Sequence, residues 1–191
     1  MTNTTLNFKR LNRALIFAAR AHDGQQRKGS DIPYIIHPVA MAMKLLTMDC
    51  MEDVVIAALL HDVVEDTNIT LDDIAREFGT PVAELVAAAS EPEHGTARWE
   101  ARKQHTIDFL RDAPLPVKLL TCADKLHNIQ SIQHDFEAIG EKVWERFARG
   151  REKQAWYYRA LAESLPHGIE SPERYPIFAE FARAVDNLFG K

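Results

Sequence analysis

The sequence predicts an all-α fold in a single domain over residues 1–191. Three observations carry this. Apolar residues recur at spacings of three and four along most of the chain, glycines and prolines punctuate those runs, and no stretch alternates apolar and polar residues as a half-buried strand would. The length suffices for one domain with a sizeable core, and the apolar fraction of 46% is ordinary for a folded globular chain.

The elements follow in order. Leu11, Leu15, Ala18 and Ala19 lie at helical spacing and predict a first helix from about Lys9 to Asp23. GQQRKGSDIPYIIHP is a loop marked by Gly24, Gly29 and Pro33, and Pro38 falls in the first turn of a helix running to about Thr47, where a missing N–H costs nothing. Glu52–Glu65 reads as one helix, apolar nearly all round, which belongs in the middle of a bundle. Thr70 with Asp72 and Asp73 starts the next helix, Gly79 stops it, and Thr80–Pro81 starts another at once. After the SEPEHG loop comes a polar-faced helix over about 97–110. Pro114 and Pro116 precede the helix that carries VKLLTCADKLHNI, and further helices are expected near Glu137–Phe147, Glu152–Ser164 and Pro172–Phe189. Pro176 should kink the last or delay its start.

Composition excludes several classes. No run of 18 apolar residues occurs and MTNTTLNFKR is not a signal-peptide pattern, so no membrane association and a cytoplasmic address are expected. Cys50 and Cys122 fit a reducing compartment, as core residues rather than a disulfide framework. A net charge of −5 argues against a nucleic-acid partner, and an anionic small molecule would need a local basic patch.

The chemistry concentrates in HDVVED, residues 61–66. It closes a stretch of core character, VVIAALL, where charged groups are costly unless paired or bound to metal. On a continuous helix His61 stacks over Glu65 and Asp62 over Asp66, and three acids at a helix C-terminus oppose the helix dipole. A divalent cation removes that conflict, whereas a hydrated acidic helix end leaves it standing. Taken alone, His37 before Pro38 reads as a capping or surface histidine, and Asp124 as the structural partner of Lys125 or Arg20. Two imidazoles and two carboxylates on three helices become a ligand set only if the fold brings them together. That set suits a first-row divalent ion such as manganese, iron or zinc, with coordination positions left over for water and substrate.

AHDGQQRKGSDIPYIIHP, AALLHDVVEDT with the FG after it, and VKLLTCADKLHNI occur in order across residues 21–131. Together they resemble the HD phosphohydrolases, and more narrowly the hydrolase domain of the RelA/SpoT alarmone enzymes and their stand-alone relatives, the small alarmone hydrolases of the Mesh1 type. GREKQAWYYRAL resembles the tail helix of the bacterial stand-alone members. The resemblance implies an HD-type helical bundle with C-terminal helices over 135–189, and removal of the 3′-pyrophosphate from guanosine tetra- or pentaphosphate with manganese as the usual ion. It implies His37, His61, Asp62 and Asp124 as metal ligands, and Glu65 and Asp66 as the acidic pair of active hydrolases. Arg27 and Lys28 match the basic pair of the nucleotide pocket, Asn128 matches a substrate-contacting asparagine, and Ser131 stands where many members have threonine. The loop between Lys28 and Pro33 is one residue longer than in the bacterial pattern, and Gln130 stands where the large enzymes often have arginine.

The remaining residues are assigned bland roles first. His22 is a capping, core or outer-layer residue near the site; His127 could point either way; His94, His105, His134 and His167 are surface residues. Trp144, Trp156, Tyr157 and Tyr158 are core residues, with Tyr157 a candidate to reach a nucleotide, and Arg151 and Lys153 are rim or solvated charges. Two rival readings stay open: an HD hydrolase of other nucleotides, such as adenosine alarmones or NADPH, and an inactive nucleotide-binding sensor. The oligomeric state is left undetermined by the sequence.

Overall fold

The computed structural model describes residues 6–90 and 98–190, and the chain clusters into two compact units, Met1–Ser90 and Glu91–Lys191. Among the described residues the regular structure is helical, and extended pairing is confined to an isolated antiparallel bridge between Gln26 and Pro33.

In the first unit α1 (Phe8–Ala21), α2 (Ile36–Leu46), α3 (Glu52–Leu60), α4 (Val63–Asp66), α5 (Leu71–Phe78) and α6 (Thr80–Ala89) are arranged around α3, which packs against α1, α2 and α6. Val54 through Leu60 are all buried, as an all-round apolar helix requires. Asn7 caps α1 through its side chain, accepting from the Lys9 and Arg10 N–H groups. The Arg10 guanidinium then clamps three elements: Nη1 lies 2.7 Å from Glu52 and 2.6 Å from Asp53 in the first turn of α3, and Nη2 donates to the Phe78 carbonyl at the end of α5 at 2.6 Å. Thr70 and Asp73 form a reciprocal capping box, as the Thr/Asp spacing predicts. Gly79 at φ 95° lets α5 end and α6 begin without an intervening loop.

In the second unit α7 (Trp99–Asp112) packs on α9 (Arg151–Ser164), while α10 (Pro176–Phe189) packs on α9 and on the 25-residue α8 (Leu115–Ile139). The buried Lys118 near the start of α8 donates to the carbonyls of Arg111 at 3.0 Å and His167 at 2.5 Å. Pro176 delays the start of α10, with Tyr175 in front of it held at φ −119°, ψ 83°.

Two boundary expectations need correction. No separate helix covers 137–147: nothing breaks the helix before Gly140, so α8 runs to Ile139, Gly140 at φ 62° ends it, and Gly140–Arg146 forms a 3₁₀ turn. The second correction is the break at His61–Asp62 between α3 and α4, taken up below. The expected SEPEHG loop and His94 fall largely outside the described residues. Cys122 is buried, Cys50 half-buried, and neither is in a disulfide. Among the described residues no helix is long and apolar enough to cross a membrane.

Candidate metal centre and active site

The expected helix over 52–65 is interrupted at the HD pair itself. His61 remains helical at φ −59°, ψ −36°, but Asp62 shifts to φ −95°, ψ −5°, a sparsely populated region where functional residues often sit. The chain turns there and resumes as the single turn α4, with the Asp66 N–H still bonded to the Asp62 carbonyl at 2.9 Å.

His37, one residue into α2, and His61 are 1% and 5% exposed, and the Asp62 side chain is 19% exposed. Their Nε2 atoms lie 3.7 Å and 2.8 Å from Asp62 Oδ2. One donor atom from each of the three lies within 4.8 Å of the others, a group able to hold a metal ion. The mixed nitrogen and oxygen donors suit a first-row divalent ion. His61 Nδ1 lies 3.0 Å from the Ala58 carbonyl, which can only accept. A proton on Nδ1 satisfies that carbonyl, which leaves Nε2 as the ring atom on the Asp62 side.

Tyr34, which the sequence reading passed over, stands at the centre of the surrounding shell. Its hydroxyl donates to Asp62 Oδ2 at 2.5 Å and also bears on Asp66. Its ring lies 4.8 Å from that of His22 and 6.0 Å from that of His37, and the Arg27 guanidinium sits 5.5 Å over its face. Burial first, and then the Asp62 and Asp66 charges, hold the phenol far above its ordinary pKa, so it acts as a donor. The available signal was its place in PYIIHP, three residues before His37, in a loop otherwise rich in polar residues.

Glu65 and Asp66 lie on α4, one turn beyond the HD pair, and both are exposed. Crowding by protein on one side, and then the Asp62 charge, push the Asp66 carboxyl above its usual value, with His22, Tyr34 and His61 opposing. Gln25 ties this end to the loop: its amide donates to the Asp66 carbonyl at 3.1 Å, and its carbonyl oxygen lies 2.8 Å from His22 Nδ1. His22 is thus both the C-terminal cap of α1 and part of the layer behind Tyr34. Arg27 is half-buried and Lys28 exposed, on a loop closed by Arg27 N–H to Ile32 O and Tyr34 N–H to Gln25 O, each 2.9 Å. Gly29, at φ 77°, provides its turn.

The other candidates lie in the second unit. Asp124, on α8, receives Lys125 Nζ at 2.7 Å on Oδ2 and the Asn128 amide at 2.5 Å on Oδ1, so the pairing with Lys125 expected of a lone Asp124 forms. Burial pulls the Lys125 ammonium down, but Asp124 and then Tyr157 and Tyr158 outweigh it and hold its pKa well above the usual value. The Ser131 hydroxyl donates to the His127 carbonyl at 2.9 Å, one turn back. Tyr157 is 4% exposed, with Lys103 Nζ 4.9 Å over its ring and Trp99 6.2 Å away. Lys103 is a second residue the sequence reading missed; one lysine on a polar helix face gives no signal by itself.

Comparison with known proteins finds relatives named as hydrolases. The chain is 38% identical over 130 residues to the bifunctional (p)ppGpp synthase/hydrolase SpoT of Escherichia coli (strain K12), covering 65% of this chain and 18% of that protein. It is 36% identical over 179 residues to the guanosine-3′,5′-bis(diphosphate) 3′-pyrophosphohydrolase of Aquifex aeolicus (strain VF5), covering 91% of this chain and 26% of the relative. The chain therefore spans only about a fifth to a quarter of the length of these curated relatives. Among solved structures, lmo0812 from Listeria monocytogenes EGD-e matches with a TM-score of 0.75 and 41% identity, over 81% of this chain and 99% of that one. A metazoan ortholog of SpoT, described as hydrolysing ppGpp, matches with a TM-score of 0.72 and 26% identity, over 97% and 96% of the two chains. The HD domain family matches residues 14–152, a stretch that includes His37, the broken helix end at His61–Asp62 and Asp124, and the chain belongs to that family.

Proposed function

We propose that the chain is a manganese-dependent hydrolase that removes the 3′-pyrophosphate of guanosine tetra- or pentaphosphate, leaving GDP or GTP and pyrophosphate. The observation that carries this reading is the cluster of two buried imidazoles, His37 and His61, on the half-buried Asp62, with both Nε2 atoms nearest one carboxylate oxygen and an acidic pair one turn away. The activities ascribed to the relatives supply the substrate class.

His37, His61 and Asp62 would hold the ion, with Asp124 proposed as a fourth ligand on the strength of its motif. In that role Lys125 and Asn128, already on the two Asp124 oxygens, would orient it. A bound divalent ion supplies Lewis acidity toward a phosphate oxygen and lowers the pKa of water toward neutrality. Glu65 and Asp66 orient the attacking water and take its proton while it adds to the phosphorus next to the ribose. The bond from that phosphorus to the 3′ oxygen breaks, and the oxygen leaves with a proton from the same acidic pair. Arg27 and Lys28 receive the nucleotide, with Asn128, Ser131 and Tyr157 as further contacts. The substrate is a small molecule, no nucleic-acid partner is invoked, and the two unbridged cysteines fit a cytoplasmic address.

The test is turnover by the purified protein with manganese, read as pyrophosphate release from guanosine tetraphosphate and its adenosine counterpart and as inorganic phosphate release from NADPH. The guanosine 3′-diphosphate should have the highest kcat/KM; equal or better turnover of the others overturns the substrate assignment. Glu65→Ala and Asp66→Ala should each keep the metal and lose roughly 10²–10⁴ in kcat. Unchanged turnover would refute the mechanism.

A further inference from the structure

We propose that Tyr34 is the positioning residue of the metal centre, its hydroxyl holding Asp62 in place as a ligand and its ring seating Arg27 for the nucleotide. The proposal rests on the functional reading above, since it takes His37, His61 and Asp62 as ligands.

The three ligand side chains are not equally constrained. His37 and His61 are packed on all sides, and the Ala58 carbonyl fixes the His61 ring. Asp62 stands at a chain turn with its side chain 19% exposed, and its carboxylate must be held by bonds rather than by packing. Tyr34 supplies such a bond at 2.5 Å, to the same Oδ2 that both imidazoles approach. A carboxylate oxygen has two lone pairs, so Oδ2 can accept from a phenol and still donate to a cation. Outer donors of this kind usually account for 10–100-fold in metal affinity.

Tyr34 is itself well anchored. Its N–H bonds to the Gln25 carbonyl at 2.9 Å, the neighbouring Pro33 pairs with Gln26, and its ring rests against His22. On its face lies Arg27, whose N–H closes the loop onto Ile32. One side chain therefore serves both halves of the proposed site, and the two services separate chemically: phenylalanine keeps the ring and loses the hydroxyl, whereas leucine loses both.

The full-length wild type, Tyr34→Phe and Tyr34→Leu are compared by calorimetric titration with manganese alone, by metal-free thermal melts, and by kinetics on guanosine tetraphosphate at saturating manganese. Tyr34→Phe should weaken manganese binding about 10–100-fold. Its metal-free melt should remain cooperative, and its KM at saturating metal should stay within about 2-fold of wild type, because cation–π seating of Arg27 depends on the ring and not the hydroxyl. Tyr34→Leu should show the same loss of metal affinity and, in addition, a KM raised about 3–5-fold by loss of that seating. Unchanged manganese affinity in Tyr34→Phe overturns the proposal, as does a matching KM in the two variants. A lost metal-free melt in Tyr34→Phe also overturns it, by making Tyr34 a structural residue. Failure of the wild type to bind manganese refutes instead the functional reading on which the proposal depends.

Discussion

Replacing Arg10 by methionine tests whether one guanidinium sets the position of the helix that delivers His61. Methionine keeps the apolar stem and deletes three hydrogen bonds. The bond to Glu52 matters most, because the carboxylate left behind is only 13% exposed; its loss should cost about 1.5 kcal/mol, the low end for a bond between charged groups. Asp53, at 35% exposure, is better hydrated and its share is about 0.5 kcal/mol. The bond to the Phe78 carbonyl contributes about 1 kcal/mol. The expected destabilisation is therefore about 3 kcal/mol, a fall in Tm of roughly 6–12 °C for a chain of this size. Urea melts followed by circular dichroism measure it, in a cycle with Glu52→Gln and the double variant. The coupling should be about 1 kcal/mol, since the two side chains touch. Destabilisation under about 0.5 kcal/mol, or strictly additive single effects, would refute the clamp.

Three further outcomes are expected. Manganese at about 100 times its dissociation constant should stabilise the protein by about 2.7 kcal/mol. That corresponds to a Tm rise of roughly 5–10 °C in differential scanning fluorimetry, reversed by chelator and absent in His61→Ala. Lys118→Met should destabilise by about 2 kcal/mol, because the Arg111 and His167 carbonyls lose their ammonium donor. Burial lowers the folded pKa of Lys118 against an opposing Asp112, so the unfolded chain binds that proton more tightly; stability should rise from the lowered value up to 10.5, and melts across alkaline pH should lose this rise in the variant. Bonds from Thr70, and then Arg76, hold the Asp73 carboxyl at about 2, below its ordinary 3.8. Its contribution is complete above the unfolded value and lost as pH falls through the folded one, so Thr70→Ala should flatten the Tm slope between about pH 4 and 2.

Most of the helical order was readable residue by residue, because its causes are local. Apolar period, the Thr70 capping box, the Gly79 stop and Pro176 act within a turn or two of the chain. The same locality explains the errors of boundary: nothing between Asp124 and Gly140 breaks a helix, so α8 outran its expected end. The HD motif announced its chemistry because acids after VVIAALL conflict with burial and with the helix dipole. It did not announce the break at Asp62, where the carboxylate meets the Tyr34 hydroxyl from a segment distant in sequence.

The sequence alone thus determined the all-helical class, the likeness to alarmone hydrolases and the residue types able to bind a metal, since periodicity, caps and motif spacing are properties of the chain itself. Only tertiary structure decided that His37 and His61 turn their Nε2 atoms to one oxygen of Asp62, and that Tyr34 stands behind that oxygen with Arg27 on its ring. Tyr34 and Asp62 are far apart in sequence, and no local pattern records a hydrogen bond that exists only after α2 and α3 have packed.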